Sequence, residues 1–65
     1  MEEKLSTIYL VSGQTALQYL MNVSKKYRQI ATEAIFECLR LDYPLNNMEL
    51  TGKARELQRK RNAYV

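Results

Sequence analysis

The stretch that decides the fold is Ile30-Ala31-Thr32-Glu33-Ala34-Ile35-Phe36-Glu37-Cys38-Leu39-Arg40-Leu41-Asp42-Tyr43. Glu33, Glu37 and Arg40 recur about one helical turn apart and form a narrow polar strip. Ile30, Ala31, Ala34, Ile35, Phe36, Cys38, Leu39, Leu41 and Tyr43 cover the remaining circumference. A helix apolar around most of its girth must be buried on more than one side. One short companion helix does not cover so much surface. The sequence therefore predicts a homodimer or a larger partner, with Ile30, Ala34, Ile35, Cys38 and Leu39 at the interface. Pro44 ends the helix, because the residue before a proline is pushed out of helical geometry.

Downstream, Asn46 or Asn47 can cap a last helix spanning roughly Met48 to Asn62. Its apolar side is thin (Leu50, Ala54, Leu57 and Tyr64), and Gly52 weakens its first turns by ~1 kcal/mol relative to alanine. This helix is expected to dock loosely or to order on binding. It carries most of the charge. From Lys53 onward Lys53, Arg55, Arg59, Lys60 and Arg61 face only Glu56, a net +4 over thirteen positions of a chain whose total is +3. Such a block suits phosphate or an acidic protein surface. It also serves as a solvated face that keeps a protein in solution. A cut after Gly52 is expected to spare the fold.

Upstream, Leu5 to Val11 (LSTIYLV) is rich in β-branched and aromatic residues and is punctuated by Ser12-Gly13, which predicts a short strand. The alternative is the first turn of a helix, since a lone strand cannot satisfy its own backbone. With no second strand in the chain, the strand's partner is the same segment of another copy. Ser12 or Thr15 then caps a helix bearing Leu17, Leu20, Met21 and Ser24 on one stripe. A polar cluster around Lys26–Gln29 suggests a break before Ile30. No glycine or proline lies between Gln14 and Tyr43, however, so one continuous helix over residues 14–43 is the competing fold.

The 65 residues make one domain, with a core at 5–43 and a basic helix or tail at 46–65. A core of that size rarely supplies more than ~3–5 kcal/mol. Cys38 is the only cysteine and histidine is absent, so neither an internal disulfide nor a Cys/His zinc site can staple the fold. Hydrophobic residues at 46% with 26% charged place the chain among globular proteins. No apolar run approaches the ~20 residues of a membrane span, and the acidic start lacks the order of a secretory signal, which predicts a cytoplasmic protein. There is no glycine-rich phosphate loop and no nucleophile beside a base, so an enzyme, a cofactor and a metal are not expected. Glu33 and Glu37 read as a surface ion-pair row with Arg40. Cys38, on the most apolar helix, reads as a small core hydrophobe.

The order of short strand, helix, polar turn and very apolar helix, with Leu20-x-x-Val23-Ser24, then Arg28-Gln29-Ile30-Ala31-Thr32-Glu33-Ala34-Ile35, then Cys38-Leu39 and Tyr43, resembles the ribbon-helix-helix family of DNA-binding dimers (the Arc and MetJ type). The resemblance covers residues 5–43. It implies a mainly α fold in which two Leu5–Val11 strands pair antiparallel across an intertwined homodimer and enter the major groove. Period-two alternation then places Ile8 and Leu10 in the dimer core and Thr7 and Tyr9 on base edges. The start of the second helix, near Ile30–Thr32, faces a phosphate, with Lys26 and Arg28 adding charge. Two departures stand out: the turn, Tyr27-Arg28-Gln29, lacks the usual glycine, and the base-reading face has no Arg, Lys, Asn or Gln. The function implied is a small DNA-binding transcriptional regulator with a basic tail on the phosphates. The competing reading is a helical inhibitor or adaptor that docks Ile30–Tyr43 and the basic tail on a larger protein with an acidic patch. An intermolecular ribbon favours the first and an unbroken helix the second.

Overall fold

A computed structural model describes residues 2–63; its elements are α1 (Glu2–Thr7), α2 (Ala16–Asn22), a 3-10 turn (Lys25–Tyr27), α3 (Arg28–Arg40) and α4 (Asn47–Ala63). The chain is mainly helical, as its periodicity predicts. Tyr64, assigned above to the last helix, lies outside the described residues.

The N-terminal segment departs from the expected strand. Glu2–Thr7 is helical, and the Thr7 hydroxyl donates to the Lys4 carbonyl at 2.8 Å. The following residues fold into a tight turn. Leu10 N–H donates to Gln14 O (2.8 Å), Gly13 N–H to Leu10 O (3.0 Å) and Ala16 N–H to Ile8 O (2.8 Å). Gly13 takes a φ of +93°, which a residue without Cβ adopts freely. Tyr9 and Thr15 form an isolated antiparallel bridge. The backbone that needed a second copy is thus satisfied locally, and the ribbon expected over Leu5–Val11 has no strand to form it. Leu5 and Leu10 both point into the core, five residues apart, a pairing that helix-then-turn permits and period-two alternation does not.

The competing single helix over 14–43 is not formed either. Thr15 caps α2 through a capping box: Gln18 N–H donates to Thr15 Oγ1, and Thr15 N–H to Gln18 Oε1, both at 3.1 Å. The helix stops at Asn22, where Val23 and Ser24 are extended. No glycine or proline makes this break. It is held by Arg28, whose Nε donates to the carbonyls of Leu20 (3.0 Å) and Val23 (3.3 Å) and whose terminal nitrogen donates to Met21 O (3.4 Å). Leu20 and Met21 lie in the last turn of α2, where carbonyls lack a full set of helical partners (Leu20 O also accepts from Val23 N–H at 3.1 Å), and a cation there faces the negative end of the helix dipole.

Helix α3 ends at Arg40, three residues short of the expected Tyr43. Asp42 takes a φ of +60°, Asp42 N–H donates to Leu39 O (3.2 Å) and Tyr43 N–H donates back to Cys38 O (2.9 Å). This is a Schellman closure, followed by Pro44, which cannot resume the helix. Asn46, not Asn47, caps α4: Glu49 N–H donates to Asn46 Oδ1 at 2.8 Å, and Glu49 adds negative charge to the first turn.

The most extensive helix packing is α3 against α4, with α1 on α2 and α2 on α3 completing the cover. Ile30, Ala31, Ala34, Ile35 and Cys38 are buried, and Leu5, Leu10, Ala16, Leu20 and Leu50 close the core around α3. The girth of α3 is therefore covered within one chain, and its apolarity no longer calls for a second one. Of the residues assigned to an interface, Leu10, Ile30, Ala34, Ile35 and Cys38 lie in the chain's own core, Ile8 is half-buried and Leu39 is 42% exposed. Nor does α4 dock loosely. It runs the length of α3, with Leu50 fully buried and Ala54, Leu57 and Gln58 half-buried. Among the described residues no helix is long and apolar enough to cross a membrane.

Candidate nucleic-acid interface

Two contacts fix the direction of α4 on α3. Lys53, early in α4, places its Nζ 5.4 Å from the centroid of the Tyr43 ring, just beyond the end of α3. Arg61, late in α4, pairs with Glu33 near the start of α3. The helices are antiparallel, so the 3-10 turn and the C-terminal half of α4 share one end of the molecule. Two basic runs that lie far apart in sequence meet there. Lys26 and Arg61 line a common cleft of about 180 Å³ together with Tyr27, Gln29, Gln58 and Asn62.

Helical spacing divides the tail's cations. Arg55, Gln58, Arg59 and Asn62 stand three or four residues apart and share one flank of α4. Arg55 and Gln58 line a second groove, of about 240 Å³, with Tyr19, Val23, Tyr27 and Ala54. Lys53 and Lys60 lie on the opposite flank and meet Glu56, at 3.1 and 3.9 Å. The hydrogen bond to Glu56 raises the pKa of Lys53 above its ordinary value. Among the described residues, Lys25, Lys26, Arg55 and Arg59 have no carboxylate at ion-pair distance. The Lys26 ammonium sits 5.7 Å from the Tyr27 ring centroid, in cation–π range.

The structure thus separates the eight residues expected at phosphate. Lys26, Arg55 and Arg61 line the two concavities at one end, and Arg59 lies one turn beyond Arg55 on the same flank of α4. Lys53 and Lys60 belong to the Glu56 flank. Arg28 is turned onto the end of α2, and the Thr32 hydroxyl donates to Arg28 O at 2.8 Å. Thr7 ends α1, and Tyr9, 65% exposed, sits on the turn that follows; they share no strand. Lys25, Tyr27, Gln29, Gln58 and Asn62 were not among the residues expected at the site. The row Arg55-Gln58-Arg59-Asn62 was legible as a helix face, whereas its approach to Tyr27 required the antiparallel packing.

The other expected chemistry is structural. Arg40 pairs with Glu37, and that hydrogen bond holds the Glu37 carboxyl below its usual pKa. Glu33 pairs instead with Arg61, across elements. Cys38 is fully buried, and burial, with Glu49 adding to it, pushes its thiol pKa up. Among the described residues no group of three or more His, Cys, Asp or Glu is placed to hold a metal ion. What the end of the molecule offers is exposed cations, side-chain amides and a half-exposed tyrosine, groups that meet phosphate oxygens and planar rings. No protein-family model, curated protein or solved structure matches this chain.

Proposed function

We propose that this chain is a small DNA-binding protein that holds the phosphate backbone with the end formed by the 3-10 turn and the C-terminal half of α4. The observation that carries this reading is the convergence of Lys26 with Arg61 in one cleft, beside the groove that Arg55 lines; Arg59 follows Arg55 by one turn on the same flank of α4. Lys26, Arg55 and Arg59, with no carboxylate at ion-pair distance among the described residues, are available to phosphate at little cost, Arg61 only by exchanging Glu33, and neutralised phosphates release condensed counterions. The reading needs one chain only and no strand in the major groove. It gives most of the affinity to the backbone, and side-chain amides at Gln29, Gln58 and Asn62 supply the hydrogen bonds that orient the ligand.

The test is duplex binding across a salt series. Four phosphate contacts give a log–log slope of about −3 to −4, and each of Lys26→Ala, Arg55→Ala and Arg59→Ala lowers it by about 0.9. Lys53→Ala and Lys60→Ala leave it unchanged. An identical loss from all five substitutions sinks the site, and no salt-dependent affinity at low ionic strength sinks the DNA reading. The second reading, a helical adaptor, draws on a different feature: the groove of about 400 Å³ that Leu5, Leu17, Leu20 and Met21 line between α1 and α2. An apolar helix of a larger protein fits such a groove.

A further inference from the structure

We propose that the tyrosine-walled groove beside the cationic cleft takes an unpaired nucleobase, so that the protein prefers single-stranded to duplex DNA; this rests on the phosphate-binding reading above and names the form of its ligand. The two concavities are contiguous, since Tyr27, Ile30 and Gln58 line both. They differ in character. The cleft is bordered by Lys26 and Arg61, while the groove is floored by Val23, Ile30, Ala31 and Ala54 and walled by Tyr19 and Tyr27. A nucleotide has the same two halves, a flat apolar ring joined to an anion. Charge fixes which occupant fits: the apolar floor alone would take any hydrophobic group, but its rim holds Arg55 and opens onto Lys26 and Arg61, so the occupant carries negative charge at its edge.

A base stacked inside a duplex cannot reach the floor of a concave groove, whereas a base in a single strand can be laid against an aromatic ring. Tyr27 is the residue placed to meet it. The residue is 42% exposed and lines both concavities, with the Lys26 ammonium beside its ring. Base and phosphate would then be held by neighbouring residues of one short turn. Gln58, shared by both concavities, offers a donor and an acceptor to the edge of the base.

The experiment compares three labelled probes by fluorescence anisotropy at one salt concentration: a short homothymidine strand, the same strand made entirely of abasic sites, and the matching duplex. The abasic strand keeps every phosphate and loses every base. The proposal expects the homothymidine strand to bind on the order of ten-fold tighter than the abasic strand, the effect of one base stacked on an aromatic side chain. Tyr27→Ala should abolish that difference while the abasic strand and the duplex keep their affinity. Tyr27→Phe should retain it and so control for folding, with circular dichroism as the check on both variants. Equal affinity for the homothymidine and abasic strands, or a preference for duplex that Tyr27→Ala does not alter, overturns the base site and leaves the phosphate reading standing. No binding of any probe at low ionic strength overturns both and returns the groove to an acidic protein partner.

Discussion

Replacing Arg28 separates a residue that builds the site from residues that would occupy it. Arg28→Met keeps the aliphatic stem and removes the guanidinium that meets three carbonyls at the end of α2. The bond to Leu20 O, at 3.0 Å and partly buried, is the strongest of the three, and the other two are longer and exposed. Hydrogen bonds to charged groups contribute ~1.5–3 kcal/mol at best, and a cation near a helix C-terminus adds ~0.3–1 kcal/mol. Discounted for exposure, the loss should come to about 1–2 kcal/mol. In a domain whose core supplies only ~3–5 kcal/mol, that is a large share of the total. At roughly 4–8 °C per kcal/mol for a chain of this size, the melting temperature should fall by about 4–16 °C. Arg28→Lys should recover part of this, since a single ammonium cannot span three acceptors. The assay is thermal unfolding followed by circular dichroism, paired with the DNA salt series on the folded variant. Because Arg28 points at the backbone of α2, the slope should stay where it was while Lys26→Ala lowers it. An unchanged melting temperature together with a slope lowered by about 0.9 would refute the reasoning and return Arg28 to the phosphate-binding set.

Two further outcomes test the fold. Cys38 should react with a thiol reagent only as fast as the chain opens, and the native protein should lose stability as pH rises through the elevated pKa of the folded thiol. Below the ordinary thiol pKa no stability is lost, because both states are then protonated. Above it the unfolded chain ionises first. Cys38→Ala should flatten this alkaline loss at a modest cost in stability, and native labelling as fast as in denaturant would show that the thiol is not buried. Asp42→Gly should raise stability by up to about 1 kcal/mol, because Asp42 occupies the left-handed position of the Schellman closure where glycine is unstrained. A lower melting temperature in that variant would mean that the Asp42 side chain holds the turn in a way that the backbone does not reveal.

Much of the helical body was legible. The apolar girth of Ile30–Cys38, the stop before Pro44 and the capping asparagine at the head of α4 follow from periodicity and local backbone chemistry. Two features were not. Leu5–Val11 has the composition of a strand, yet its backbone is satisfied by a short helix and a turn, because Leu5 and Leu10 both belong in the core and only a bent path brings them there. The break at residues 23–27 has no glycine or proline to announce it; it depends on a side chain reaching back seven or eight positions, which no window of hydropathy detects. The site was half legible. The charges could be counted, but which of them are spent inside the fold, as with Arg28 and Lys53, and which gather at one end depends on α4 running back along α3. The argument for a second chain loses its premise for the same reason: a helix can be buried on several sides by short neighbours from its own chain.

The Arg61–Glu33 pair has a consequence for occupancy. Arg61 arrives at the cleft already carrying an anion of its own, on α3, while Lys26 across the opening carries none among the described residues. A phosphate reaching Lys26 fills an open coordination position, but one reaching Arg61 must compete with a resident carboxylate. The same guanidinium anchors the late turns of α4 to α3, so exchange of its partner also unties that end of the helix. On the phosphate-binding proposal Glu33 would act as a built-in competitor: a glutamine there would give a tighter ligand grip and a looser helix end, two properties that the native pair would hold in balance.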